Sequence, residues 1–192
     1  MLSGVILAAG EGSRMGAIPK ALLRIQDKTF LEIISENLFL SVRGKVFIVL
    51  GYYSELIKKE LKFEKEIILI NSEPERGQLS SLQTAIRHMP EEVTAIMVTL
   101  ADLPLIKLST YMKLIESWSL NSDMIHVPMA DNKRGHPVIF PKRFFKDLLL
   151  APQEKGARSV VRNNPDSLIQ VEVQDKGIFR DFDTIEDYYE IR

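Results

Sequence analysis

Residues 5–20 read VILAAGEGSRMGAIPK and hold the densest set of groups able to do chemistry. An apolar run ends in Ala8-Ala9-Gly10-Glu11-Gly12-Ser13-Arg14-Met15-Gly16. Small residues let a backbone approach a ligand closely, and exposed backbone N–H groups can take phosphate oxygens. Arg14 adds a planar two-pronged donor and Lys20 a point charge, both suited to phosphate. If the apolar run is a strand, the loop lies beyond its carboxyl end, where open α/β sheets bind ligands.

Three kinds of phosphate loop compete for this segment. A Walker loop would close on Gly-Lys-Ser/Thr, which is missing. A dinucleotide fingerprint needs Gly-x-Gly-x-x-Gly and a second strand ending in an acid. Here the spacing is Gly10-x-Gly12-x-x-x-Gly16, and the second apolar run runs into Gly51-Tyr52. The third is a nucleotidyltransferase loop that wraps a nucleoside triphosphate and sets Arg14 and Lys20 on its phosphates. A strand-to-helix turn with solvated charges is the bland alternative.

Four other groups carry chemistry. Asp102 follows an apolar run and precedes Leu103-Pro104. A strand-end carboxylate there can hold Mg²⁺, or Mn²⁺ in its place, bridging triphosphate oxygens; a turn or cap Asp is the alternative. Asp181 and Asp183 alternate in Arg180-Asp181-Phe182-Asp183-Thr184, so in extended backbone both carboxylates share a face and need a cation or water to relieve their repulsion. Asp183 can equally cap the last helix. Gln78, Ser80 and Ser81 open a helix and offer neutral hydrogen-bonding groups suited to a base or ribose, or serve as ordinary first-turn residues. Arg134, His136 and Arg158 lie in the glycine-hinged loops Arg134-Gly135-His136-Pro137 and Lys155-Gly156-Ala157-Arg158, as a clamp on a second substrate's phosphate or as solvated charges.

These residues need elements to hold them. Short apolar runs at 4–8, 46–50, 67–70, 94–100 and 124–127 read as strands buried on both faces of a parallel sheet. Helical periodicity fills 30–40, 53–61, 79–88 and 108–118. After about residue 128 the alternation breaks: 138–140 reads as a strand, Pro141 opens a helix through 150, 167–173 alternates like an exposed strand, and 183–191 forms a final helix. Strand–helix alternation gives an α/β three-layer fold of the Rossmann-like type with a mostly parallel sheet, in one domain over residues 1–192.

Composition narrows the classes. With 25 basic against 26 acidic residues and a net charge of −1, bulk charge cannot bind nucleic acid or an anionic membrane. There is no Cys, which excludes disulfides, thiolate catalysis and Cys-ligated metal, and three His are few for a His-rich site. No apolar run reaches the roughly 18 residues of a membrane span, and no basic leader precedes residues 1–10, so a cytoplasmic protein is expected.

LAAGEGSRMGAIPKALL closely resembles the signature of the MobA-like nucleotidyltransferase superfamily. EPERGQLSSLQTAI, LADLPLI, RGHPVIF, KGAR and DFDTIEDY continue the resemblance along nearly the whole chain. RGHPV and GAR make it most similar to the molybdenum cofactor cytidylyltransferases. Departures are Gln153-Glu154-Lys155 where the family often has Gly-Asp-x before GAR, and Ala101-Asp102 where Gly-Asp is common. The resemblance implies transfer of CMP from CTP to the phosphate of a molybdenum-bound pterin, with a client molybdoenzyme as a further partner. Nucleotide binding falls on Leu7, Ala8, Ala9, Gly10, Gly12, Ser13, Arg14, Lys20, Gln78, Ser80 and Ser81. Arg14, Lys20 and Asp102 would be catalytic. Asp183 would join Asp102 on the metal, with Asp181 assisting. Ala9, where guanylyl-transferring relatives carry Gly, implies cytidine. A sugar or polyol phosphate acceptor, GTP as donor, or a non-catalytic nucleotide-binding regulator are the alternatives.

Overall fold

The computed structural model describes residues 1–12, 18–182 and 185–189. Strand β1 (Leu2–Ala8), apolar apart from the buried Ser3, is paired on both edges and covered on both faces. Parallel to it lie β4 (Val46–Leu50) on one side and β6 (Ala95–Leu100) on the other, with Val5 level with Phe47 and Val98. β5 (Ile67–Ile70) extends the parallel run beyond β4. Past β6 come β9 (Val138–Pro141), which is antiparallel, then β7 (Ile125–Ala130) and β10 (Leu168–Glu172). The order is β10-β7-β9-β6-β1-β4-β5, and β8 (Lys133–Arg134) folds back on β7. Among these strands only β8 and β9 run against the rest, so the sheet is mostly parallel, as expected. A separate small hairpin joins β2 (Arg24–Ile25) and β3 (Lys28–Thr29).

Strand side chains alternate between two apolar layers. Leu2, Ile6 and Ala8 pack on α1 (Phe30–Ser41), α2 (Ser54–Glu60) and α4 (Leu108–Leu120) through Leu31, Ile34, Leu38, Ile57, Tyr111 and Leu114. Val5, Phe47 and Val98 pack on α3 (Gln78–Arg87), α5 (Phe145–Leu150) and α6 (Arg158–Asn163) through Leu79, Leu82, Ile86, Leu148 and Val160. The result is helices on both faces of one sheet. Among the described residues no helix is long and apolar enough to cross a membrane.

The expected elements recur with shifted ends and one misreading. Pro141 does not open a helix. It closes β9 opposite Ala95, and Lys142 N donates to Thr94 O (2.8 Å), so the ladder with β6 claims the backbone before α5 begins at Phe145. After β10 the chain crosses the carboxyl edge of the sheet through a 3-10 turn, Lys176–Phe179. Phe182, fully buried, packs on Phe30 with ring centroids 5.1 Å apart. α7 (Ile185–Tyr189) follows, and its Tyr188 hydroxyl donates to Arg24 O (2.8 Å).

Candidate functional site

Three features meet at one place: the loop after β1, the acid after β6, and the first turn of α3. Ala101 N donates to Leu7 O (3.1 Å), which keeps the two strand ends level as they leave the sheet. Lys20, in the 3-10 turn Lys20–Leu22, reaches across to Asp102, with Nζ 3.3 Å from Oδ2 and both side chains largely shielded. The other oxygen, Asp102 Oδ1, is buried and accepts no hydrogen bond.

Two cavities open here. The smaller, about 480 Å³, is walled by Leu7, Ala8, Ala9, Gly10, Gly12, Lys20, Gln78, Ser81 and Asp102, together with Glu11, Tyr52, Pro74 and Glu75. The larger, about 1040 Å³, is walled by Arg134, His136, Arg158 and Asp181, with Lys133, Lys155 and Arg162 adding positive charge. Leu7, Gln78, Leu100 and Asp102 belong to both walls. Ser13, Arg14 and Asp183 lie outside the described residues.

The two serines divide. Asn71, buried at the end of β5, donates through Nδ2 to Ser80 Oγ (2.8 Å) and Ser81 Oγ (3.0 Å), and Glu73 N donates to its Oδ1 (3.0 Å). Ser80 donates back to Gly77 O (2.7 Å) and Glu73 O (3.1 Å), so its hydroxyl is consumed in holding the turn and it lies off both cavity walls. Ser81 faces the smaller cavity.

Ala9 is buried, and its methyl lies over Gly51: a Cβ at Gly51 would fall 2.7 Å from both Ala9 Cβ and Ala9 O. β4 therefore ends in glycine because the phosphate loop rests on it, which leaves no room for the ribose-binding acid of a dinucleotide site.

Sequence reasoning passed over Asn71, Tyr52 and Asp175. Tyr52 forms part of the wall of the smaller cavity. Local desolvation, then the carboxylates of Glu11 and Glu75, raise its phenol pKa. Asp175 is buried and binds three donors: Lys107 N (2.9 Å), Thr110 Oγ1 (2.6 Å) and Gly177 N (3.0 Å). It thereby caps α4, whose own N-cap, Lys107, has no capping side chain. Gly177 sits so close to the 103–106 segment that a Cβ would meet Leu105 O at 2.4 Å. Each of these three is a lone polar or aromatic residue outside any motif, and the partners that give it its place include residues remote in sequence, so spacing carried no signal for them.

The residues present fit a divalent cation. No group of three or more His, Asp or Glu among the described residues is placed to hold one alone. Mg²⁺, however, takes one or two carboxylates plus substrate phosphates. Asp102, which lies in the wall of both cavities and whose Oδ1 accepts no hydrogen bond, is such a ligand.

A glycine-rich loop, a strand-end acid and a helix N-terminus meeting at the carboxyl edge of an α/β sheet are the arrangement in which such folds bind nucleotides. Residues 4–169 match the model of the MobA-like NTP transferase domain, and the chain belongs to that family. It is 28% identical to nicotine blue oxidoreductase of Paenarthrobacter nicotinovorans, with 99% of this chain and 96% of that protein covered. It is 26% identical to the bifunctional protein GlmU of Prochlorococcus marinus over 73% of this chain, but spans only 32% of that protein. Among solved structures, Rv0371c from Mycobacterium tuberculosis superposes with a TM-score of 0.88 at 25% identity, covering 99% of this chain and 96% of that one. The same protein in complex with manganese superposes with a TM-score of 0.83 at 22% identity, covering 99% and 97%. Nucleotidyl transfer is thus the class of activity.

Proposed function

We propose that this chain transfers CMP from CTP to the terminal phosphate of the molybdenum-molybdopterin cofactor, releasing pyrophosphate. The observation that carries the reading is the pair of cavities sharing Asp102: one has the size and walls for a nucleotide, the other is rimmed by Arg134, Arg158 and further cations. An acceptor phosphate oxygen from the larger cavity bonds to the α-phosphorus in the smaller, and the bond to the β-phosphate oxygen breaks. An acceptor phosphate is already ionised at neutral pH, so no side chain has to take a proton. Positioning and electrostatics therefore do most of the work. Lys20 and the loop amides, with Arg14, hold the leaving pyrophosphate; Gln78 and Ser81 orient the base or ribose.

Asp102, with Asp183 and Asp181, would hold Mg²⁺ or Mn²⁺. Such an ion supplies positive charge to phosphate oxygens as charge develops on them. The manganese complex of Rv0371c supports a divalent ion of this type. A cytoplasmic location and delivery of the product to a molybdoenzyme belong to the same reading.

The test is pyrophosphate release with CTP, GTP, ATP and UTP in turn, against the molybdenum cofactor and against sugar or polyol phosphates. Release confined to CTP and the cofactor is expected; release with GTP, or with a sugar phosphate alone, replaces the assignment. The near full-length similarity to nicotine blue oxidoreductase favours a second reading, in which the phosphate loop serves a redox dinucleotide. Gly51 in place of a ribose-binding acid counts against it, and NADH and NADPH oxidation in the same panel decides it.

A further inference from the structure

His136 is held from both sides in the wall of the larger cavity. Gly135 N donates to Pro128 O (3.1 Å) and His136 N to Ile178 O (2.8 Å), which fixes the backbone. Ring Nδ1 lies 3.4 Å from Val98 O. A carbonyl oxygen only accepts, so Nδ1 carries the hydrogen and Nε2 keeps a bare lone pair. Nε2 has no protein partner and is not enclosed by protein, so it opens on the cavity the ring lines. Burial lowers the imidazole pKa to about 4; the positive charge of Arg158 adds to that, against the pull of Val98 O. At neutral pH the ring is uncharged. Phosphate oxygens also only accept, so this nitrogen repels the group that Arg134 and Arg158 attract. The cavity, about 1040 Å³, is far larger than a phosphate, and Leu79, Leu82, Val138 and Phe140 give it an apolar wall.

We propose that Nε2 of His136 accepts a hydrogen bond from a ring N–H on a flat heterocyclic body of the second substrate, the lactam edge of a pterin being such a group. The arginines take that substrate's phosphate. The proposal rests on the larger cavity being the acceptor site. A buried acceptor aimed at a ligand N–H rejects analogues that lack it, because the lone pair is then left unpaired. His136 is therefore a specificity residue, a different role from the phosphate clamp expected of its motif.

Three probes test it by equilibrium binding to the full chain: pterin, 3-methylpterin, whose ring N–H is replaced by a methyl group, and inorganic phosphate. Wild type should bind pterin at least tenfold more tightly than 3-methylpterin. His136→Leu should erase that difference, and His136→Gln, whose amide oxygen also accepts, should keep it. Phosphate affinity should be unchanged in both variants. If the Leu variant fails to fold, the wild-type and Gln arms still decide. Equal affinity of wild type for the two pterins, no pterin binding at all, or loss of phosphate binding in His136→Gln overturns the proposal. The cytidylyl-transfer reading fails separately, when CTP and the molybdenum cofactor release no pyrophosphate.

Discussion

Asp102 is where a single charge has most leverage, because its two oxygens face different tasks. Oδ2 meets Lys20 and Oδ1 is buried without a partner. Asp102→Asn keeps the shape and removes the charge, so turnover should fall at least ~100-fold, the size of losing one group that stabilises developing phosphate charge. The melting temperature should stay within a few degrees; near-normal pyrophosphate release would sink the role given to this acid. Gly51 and Ala9 allow a second test. Gly51→Ala should weaken CTP binding tenfold or more by pushing on the phosphate loop. Adding Ala9→Gly should restore only part of it, since Ala9 O, equally close, remains. Full restoration would mean that the methyl contact alone sets the loop. If the proposed cytidine preference holds, Ala9 would act on it through the packing of the wall on Gly51. The loop and Asp102 were legible because glycines, cations and an acid cluster just past apolar runs. Ser80 and Ser81 were not separable, since only the fold shows that Asn71 engages both and that Ser80 spends its hydroxyl on the turn.

Asp175 shows what one contact does for two elements. Its carboxylate caps α4 from 65 residues away, and its own turn carries Ile178, whose carbonyl anchors the His136 backbone. The segment after Asp102 and the loop that carries His136 are thus braced by one 3-10 turn. Asp175→Ala leaves three donors without an acceptor, which should cost about 2–3 kcal/mol of stability by denaturant unfolding. The same variant should raise the acceptor KM while CTP affinity, measured by calorimetry, stays within about twofold, because the nucleotide cavity rests on β1 and α3 instead. Equal losses on both sides would reduce Asp175 to a general stabiliser. Most strands and helices were readable from periodicity, for they are buried on one or both faces. The short elements α6 and β8 were not, nor were two further features. Pro141 is compatible with a helix start and with a strand end, and only the pairing with Ala95 decides between them. The β2–β3 hairpin has two residues per strand, too few to show alternation, and turns at Gln26, a non-glycine residue with φ 54°.

Across the whole molecule, two histidines are held neutral by burial at opposite ends of the same barrier to acid. His136 is lowered to about 4, and His126, fully buried on β7 between Ser117 and Asn121, is lowered by burial against the pull of the Asn121 carbonyl. In the unfolded chain each would titrate near 6.5. Between about pH 6.5 and 4 the unfolded chain therefore binds protons that the folded one refuses, and stability falls as pH falls through that window; above it neither histidine contributes a slope. For His136 the limit is about 3 kcal/mol, the free energy of a shift of that size, reduced by the open cavity side of the ring. Replacing His136 by Gln removes the titrating group, so the variant should lose less stability than wild type between pH 7 and 4.5 in urea titrations, and His126→Gln should do the same independently. Carboxylates still titrate in both proteins, so the difference between curves is the quantity to read, not the slope of either. Parallel curves for wild type and His136→Gln would show that the ring titrates in the folded state as it does in the unfolded one, and the lowering by burial would be withdrawn.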